Sequence, residues 1–116
     1  MASEPDLTPP AAVARNAEKG LELRRQHKRG GTQVGVARAR DLAARRTLSP
    51  QTIRRMTSYF ARHAVDKKGE NFDSEDDPSA GAIAWLLWGG DEGRDWAERM
   101  KAALEQAEGK TGPKGD

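Results

Sequence analysis

The basic side chains in the first two thirds of the chain have the chemistry to bind a polyanion. Cationic groups on adjacent helices neutralise phosphates and release counterions, and this interaction needs no base-specific geometry. The candidate nucleic-acid-binding residues are Arg24, Arg25, Lys28, Arg29, Arg38, Arg45, Arg46, Gln51, Arg54, Arg55 and Arg62. Only two aromatic residues, Tyr59 and Phe60, interleave with them, which favours a duplex over a single strand, since single strands stack on aromatic rings. The alternative interpretation is a solvated helical face.

The charge of the chain is divided along its length. Residues 12–68 hold 15 basic and 4 acidic side chains, whereas residues 69–116 hold 5 basic and 12 acidic ones, although the whole chain carries only +2. Such blocks are typical of a basic face for a polyanion, of two halves that neutralise each other, or of complementary ends of a self-assembling subunit. The charge pattern leaves these three interpretations open.

The segment around Ser49 resembles the second helix of a DNA-binding helix-turn-helix. A polar helix start can reach base edges while arginines touch phosphates. Six residues separate Leu42 from Ser49, however, and the compact motif needs a turn of about three or four. We therefore favour a simple helix start at Ser49-Pro50.

Three tryptophans, Trp85, Trp88 and Trp96, occur close together around two glycines. We expect their indoles to fill the core, with the N–H groups finding partners at its edge. The alternative is an aromatic protein-binding surface, since Trp is enriched in interface hot spots, and its candidate residues are Trp88 and Asp91.

The acidic stretch after residue 69 does not fit a calcium loop. Counted from Asp73, position 6 is Pro78 instead of Gly and position 12 is Ala84 instead of Glu. A solvated charge run, or a clasp for the basic helices, fits better. His27 and His63 lack metal-ligand spacing and no catalytic set of residues is evident, so we expect no metal, no cofactor and no enzymatic activity.

Apolar residues recur at helical spacing throughout, and this predicts an all-α fold, a compact bundle of four to five short helices. We expect Thr8 to cap the first helix, which ends at Gly30-Gly31, and Thr32 to cap a second helix that runs to about Arg46 with its arginines facing outward. Gly20 inside the first helix indicates either a closely packed neighbour or a bend.

Ser49 is predicted to cap the third helix, with Pro50 in its first turn and Ala64 on its buried face. A short apolar helix follows over residues 79–88, and Asp91 is expected to cap the last helix. The predicted organisation is a disordered tail over 1–8, one helical domain over 9–108 (basic helices 9–68, acidic loop 69–78, Trp-rich helical pair 79–108) and a disordered tail over 109–116. The predicted core is Leu21, Val36, Leu42, Ile53, Met56, Phe60, Trp85, Leu86, Trp88, Trp96 and Met100.

The longest apolar run, from Ala82 to Trp88, is far shorter than the roughly 20 residues that cross a bilayer. The first residues form neither a basic nor an apolar signal region. We therefore expect a soluble chain without membrane contact, and the absence of Cys fits a reducing compartment.

Three blocks of sequence, in order, resemble a known family: KRGGTQVGVARARDLA over residues 28–43, LSPQTIRRMTSYFARHAVDKKGE over 48–70 and SAGAIAWLLWGGDEGRDWA over 79–97. They are similar to a small domain that recurs in tailed-bacteriophage genomes, alone or joined to other phage proteins and often near head genes. The resemblance spans about residues 13–100. It implies a phage setting and a non-catalytic role, and it assigns no functional residue.

We expect the basic helices to bind nucleic acid, in particular the backbone of double-stranded DNA, in the cytoplasm of an infected bacterium or in the virion. The alternative is a virion structural or assembly protein, such as a head-associated cement or accessory protein, that contacts phage head proteins through its basic and acidic surfaces. A third possibility is an antagonist of a host protein that uses the Trp-rich end. An open stripe of arginines favours the first function, and arginines covered by acidic residues favour the second.

Overall fold

The computed structural model describes residues 5–74 and 76–111, and this part of the chain is helical without any strand. The bounds of the five α-helices are Ala11–His27 (α1), Gln33–Ala43 (α2), Pro50–His63 (α3), Ala80–Leu87 (α4) and Gly90–Thr111 (α5). One 3-10 helix, Ala64–Lys68, follows α3 directly. The predicted all-α bundle of four to five helices is confirmed.

The short helix α4 lies at the centre of the packing. α1 packs against α2 and α4, α3 packs against α5, and α4 also touches α2, α3 and α5. α2 and α3 do not pack on each other, so they do not form a compact helix-turn-helix. No helix in the described ranges has both the length and the apolarity needed to cross a bilayer.

Three helices begin with a side-chain cap, and two of these caps, Thr32 and Ser49, were predicted from the sequence. The side-chain oxygens of Thr32, Ser49 and Ser79 each accept a hydrogen bond from the backbone N–H three residues further on. Each bond satisfies one of the N–H groups that a helix leaves unpaired at its first turn. Pro50 occupies the first turn of α3, where its missing N–H costs nothing.

Two predicted caps are wrong. Thr8 does not cap α1; its hydroxyl lies 2.9 Å from that of Thr47, and α1 begins after Pro10 without a side-chain cap. Asp91 lies inside the first turn of α5 instead of ahead of it. In both cases the side chain that local sequence assigns to a cap forms hydrogen bonds with a residue from another part of the chain instead.

The first two helices end earlier than predicted. α1 stops at Lys28, ahead of Gly30-Gly31, because Lys28 adopts the left-handed conformation with φ 55° and its N–H bonds to the carbonyl of Arg24. α2 stops short of Arg46, and Arg45 takes a φ of 54° in the connection. Both turns therefore use charged residues where glycine is the commoner choice.

The described part of the N-terminal segment packs on the domain. Leu7 is 6% exposed, and its carbonyl accepts a hydrogen bond of 3.0 Å from the N–H of Leu48. Leu7 thus belongs to the core instead of the predicted disordered tail over 1–8, of which residues 1–4 lie outside the described residues. At the other end α5 continues to Thr111, past the predicted boundary at 108, and residues 112–116 again lie outside the description.

Most of the predicted core is buried, including all three tryptophans. The predicted core residues that are buried are Val36, Leu42, Ile53, Met56, Phe60, Trp85, Trp88 and Trp96. Leu86 is only partly buried and Leu87 fills the core in its place, because α4 is apolar all round and its sequence does not show which face is inside. Leu21 and Met100 lie at the edge of the core, and Ala64 is exposed.

Gly20 marks the crossing of α1 and α4. A Cβ at this position would lie 2.7 Å from the backbone nitrogen of Leu87 and 3.0 Å from the carbonyl carbon of Leu86. Of the two explanations that the sequence left open for Gly20, a bend or a closely packed neighbour, the closely packed neighbour is correct.

Candidate functional site

An open groove of about 770 Å³ runs between α3 and α4, and the start of α2 lies at its edge. We call it the α3–α4 groove. Its lining residues are Gly31, Thr32, Val34, Gln51, Arg54, Arg55, Ser58, Tyr59, Arg62, His63, Asp66, Ala80, Gly81, Ala84 and Trp88.

The basic wall of this groove comes from one face of α3. Gln51, Arg54, Arg55, Ser58 and Arg62 recur at spacings of three and four, so the helix places them along a single side. Four of them are predicted nucleic-acid-binding residues, which the structure thus brings together.

Two of the groove arginines are uncompensated. Arg54 forms an ion pair of 2.6 Å with Glu108 of α5. Arg55 and Arg62 are exposed, and neither makes an ion pair within the described part of the chain. The groove therefore presents two guanidinium groups that can bind an external anion.

Three aromatic rings form a column beside these arginines. The phenol of Tyr59 stacks on the indole of Trp88 at 4.6 Å and 8°, and on the imidazole of His63 at 4.5 Å and 28°. Behind the column, Phe60 meets both Tyr59 and Trp85 edge to face. Sequence reasoning missed this column, although Tyr59 and His63 are four residues apart on a helix and their contact follows from that spacing.

Hydrogen bonding fixes one end of the column and leaves a group unpaired inside it. The Nδ1 of His63 lies 3.2 Å from a carboxylate oxygen of Asp66, which orients the imidazole. The hydroxyl of Tyr59 is buried and has no hydrogen-bond partner in the described part of the chain. Burial raises the pKa of Tyr59, the carboxylate of Asp66 raises it further, and Arg62 opposes this.

Arg38 does not face outward as predicted. Its side chain is only 12% exposed, lies 5.8 Å above the ring of Trp88 and pairs with Asp41 at 3.3 Å. Burial lowers the pKa of Arg38, Asp41 opposes that shift, and Arg55 adds to it. The indole and the carboxylate offset part of the cost of burying the guanidinium, so Arg38 supports the core instead of lining the groove.

A second basic cluster surrounds the turn after α1. Its members, Arg24, Arg25, Lys28 and Arg29, line a hollow of about 490 Å³ together with Gly30 and Gly31. Gly31 also lines the α3–α4 groove, so the two concavities are adjacent.

The members of this cluster differ in their partners. Arg24 donates from Nε to the carbonyl of Gly30 at 2.9 Å, and Arg25 pairs with Glu22. Arg29 pairs with Asp77 of the acidic loop at 3.2 Å. Lys28, in contrast, is exposed and makes no ion pair with any described residue.

The remaining predicted arginines lie in the connection after α2 and line neither concavity. Arg45 donates from Nε to the carbonyl of Pro9 at 2.8 Å, and Arg46 pairs with Asp41 at 3.4 Å. Their contacts hold the connection against the N-terminal segment and α2.

The tryptophans form core instead of an exposed protein-binding surface, since Trp85, Trp88 and Trp96 are 3%, 8% and 4% exposed. Trp88 reaches the surface only where it lines the groove. This small exposed fraction removes the basis for treating Trp88 as a docking residue for a partner protein.

Asp91 holds two parts of the chain together. Its carboxylate accepts from the indole N–H of Trp85 at 2.8 Å and from the ammonium of Lys67 at 2.8 Å. Partial burial disfavours the ionised form, but these hydrogen bonds and the positive charges of Lys67 and Arg94 outweigh it, so the pKa of Asp91 is lowered. Its partners are thus intramolecular.

Among the described residues, three ion pairs connect the basic segment to the acidic one: Arg29–Asp77, Arg54–Glu108 and Lys67–Asp91. Of these pairs, Arg29–Asp77 involves the acidic loop over 69–78 that the clasp interpretation concerns, and the other two join α3 and the 3-10 helix to α5. Arg55 and Arg62, on the groove side of α3, make no such pair with a described residue. In the described ranges no group of three or more His, Asp and Glu side chains is arranged to hold a metal ion.

Comparisons with protein-family models, with curated proteins and with solved structures gave no significant match. The likeness to a tailed-phage domain therefore rests on the three sequence blocks alone and stays a prediction.

Proposed function

We propose that the protein is a non-enzymatic nucleic-acid-binding module that contacts the phosphate backbone through the α3–α4 groove and the adjacent hollow at the end of α1. The observation that carries this proposal is the pair of exposed, uncompensated guanidinium groups of Arg55 and Arg62 on one wall of the groove. Guanidinium groups suit this task because their planar donors match two phosphate oxygens at once.

Local charge supports an anionic occupant. The groove holds three arginines against one carboxylate, Asp66, which is engaged by His63. Gly31 and Thr32 at the start of α2 also line it, and a helix start carries a partial positive charge. Lys28 adds a further uncompensated cation in the adjacent hollow.

The resemblance to a tailed-phage domain gives this proposal its setting. A small nucleic-acid-binding protein would act in the cytoplasm of an infected bacterium or with the genome inside the virion. Neither place needs an enzymatic activity, and contacts to the backbone serve both, because they do not depend on base sequence.

The test is binding of a fluorescein-labelled 20-base-pair duplex of random sequence, followed by fluorescence anisotropy in about 50 and 200 mM NaCl. We expect Arg55→Glu combined with Arg62→Glu to weaken binding at low salt and to reduce the slope of log K against log salt by about 2, one for each lost phosphate contact. The matched control is Lys19→Glu combined with Arg99→Glu, which changes net charge equally at exposed positions outside the groove. Equal loss in both double variants, or no binding of either duplex or single-stranded DNA at low salt, would refute the proposal.

One observation favours the alternative of a virion assembly protein. Val34, on the groove lining, is 56% exposed, and such an apolar side chain beside arginines also suits a protein contact. If the protein binds neither duplex nor single-stranded DNA at low salt and instead forms salt-sensitive oligomers in sedimentation velocity, assembly replaces nucleic-acid binding as the function. The third candidate, an antagonist that docks through its tryptophans, lacks the exposed indole surface it needs.

A further inference from the structure

The ring column in the α3–α4 groove ends in a ring that is open to solvent. Trp88 and Tyr59 are buried at 8% and 5% exposure, whereas the side chain of His63 is 42% exposed. His63 stacks on Tyr59, and no ring of the described residues stacks on it from the other side. The imidazole is therefore a partly exposed ring of the groove lining that is supported on one side by Tyr59.

We propose that His63 is a stacking platform for an unpaired nucleobase, and that the groove therefore prefers single-stranded or frayed nucleic acid to intact duplex. This inference rests on the proposed function and specifies its ligand. A base that stacks on His63 extends the column by one ring, and every base has the π-face that this contact needs.

The groove supplies the other contacts that a nucleotide requires. Arg62 and Arg55 line the same groove as His63, and Arg55 lies two turns earlier on the helix, so both guanidinium groups are available to the phosphates of a strand that follows the groove. Asp66 holds the imidazole in place through Nδ1, so little rotamer freedom is lost when a base stacks on the ring. Exposed Val34 adds apolar surface for the base.

This ligand differs from the duplex that the sequence favours. Sequence reasoning saw only Tyr59 and Phe60 among the basic residues, too few for a stacking surface. The structure adds Trp88, directly after α4, on one side of Tyr59 and the partly exposed His63 as a second stacked ring. A basic groove that contains a supported, exposed ring is typical of single-strand binding.

The experiment compares one labelled 12-nucleotide DNA strand of mixed sequence with the blunt duplex of the same strand, by anisotropy with the full chain in about 50 mM NaCl. We expect the single strand to bind at least about 10-fold more tightly than the duplex. His63→Ala should weaken single-strand binding by about 5- to 100-fold and leave duplex binding unchanged. His63→Phe keeps a ring on Tyr59 and should retain most of the affinity.

The chain offers a matched control in its other histidine, since His27→Ala removes the same side chain at the end of α1, outside the groove. Circular dichroism confirms that each variant keeps its helical content. Equal affinity for strand and duplex, or a single-strand affinity that His63→Ala leaves unchanged, overturns the stacking platform while backbone binding stands. Loss in both His63→Ala and His63→Phe also overturns it, because the ring would then not be the feature recognised. Failure to bind either DNA overturns both proposals.

Discussion

The buried hydroxyl of Tyr59 makes a sharp prediction about stability. The residue is 5% exposed, and its oxygen has no hydrogen-bond partner in the described part of the chain. Tyr59→Phe removes that single oxygen and keeps the ring contacts to Trp88, His63 and Phe60. We expect the variant to be more stable than the natural protein.

The size of the effect follows from the cost of an unsatisfied polar group. A buried donor left without a partner costs about 1–3 kcal/mol, and the substitution recovers this desolvation free energy without breaking a hydrogen bond. The small space left by one oxygen offsets part of the gain. The expected net change is therefore an increase of about 1 kcal/mol in the free energy of unfolding.

Urea unfolding followed by tryptophan fluorescence measures this change, provided that the slope against denaturant is the same in both proteins. Phe60→Tyr is the converse control, because Phe60 is 1% exposed and a hydroxyl there would be buried in the same aromatic cluster; we expect it to destabilise. If Tyr59→Phe lowers the free energy of unfolding by more than about 0.5 kcal/mol, the hydroxyl has a partner and the reasoning is wrong.

Two further substitutions test other contacts. Gly20→Ala gains about 1 kcal/mol of helix propensity but drives a methyl group into the backbone of Leu87. We therefore expect the free energy of unfolding, measured in urea, to fall by about 1–2 kcal/mol. A more stable variant would contradict the close crossing. Asp91→Asn removes the charged acceptor of Lys67 and Trp85; because the side chain is 53% exposed, solvent screening limits the expected loss at pH 7 to about 1 kcal/mol. Since the pKa of Asp91 is lowered in the folded state, its contribution to stability is present above the unfolded pKa and disappears as the pH falls through the folded pKa. The natural protein and Asp91→Asn should therefore converge in stability in acid. A difference in stability that stays constant with pH would contradict the lowered pKa.

Sequence predicted helix starts well where the capping side chain had no competing partner. Ser49 followed by Pro50, and Thr32 after two glycines, act as caps in the structure. Thr8 and Asp91 have equally good cap chemistry, yet each binds a group from another part of the chain instead. Local propensity cannot reveal such tertiary competition, so these two predictions were wrong.

The candidate site was predictable only along one helix. Spacings of three and four place Gln51, Arg54, Arg55 and Arg62 on one side of α3 without any tertiary information. The stacking partner of Tyr59, Trp88, lies at the end of α4 beyond the acidic loop, and no local pattern links the two. The prediction that Arg38 faces outward was wrong for the same reason, because the indole of Trp88, over which its guanidinium lies, belongs to a distant segment.

Under the proposed function, the distribution of charge matters more than the net charge of +2. Acidic residues engage Arg29, Arg54 and Lys67, so those cations contribute little to the outer field. Arg55 and Arg62 are uncompensated, and at physiological salt charges more than about 8 Å away are largely screened from a phosphate in the groove. The proposed function therefore predicts that the affinity depends on the groove and not on the charge of the whole chain. The slope of log K against log salt should then equal about the number of phosphates bound in the groove and hollow. Charge reversals elsewhere on the surface should leave that slope unchanged.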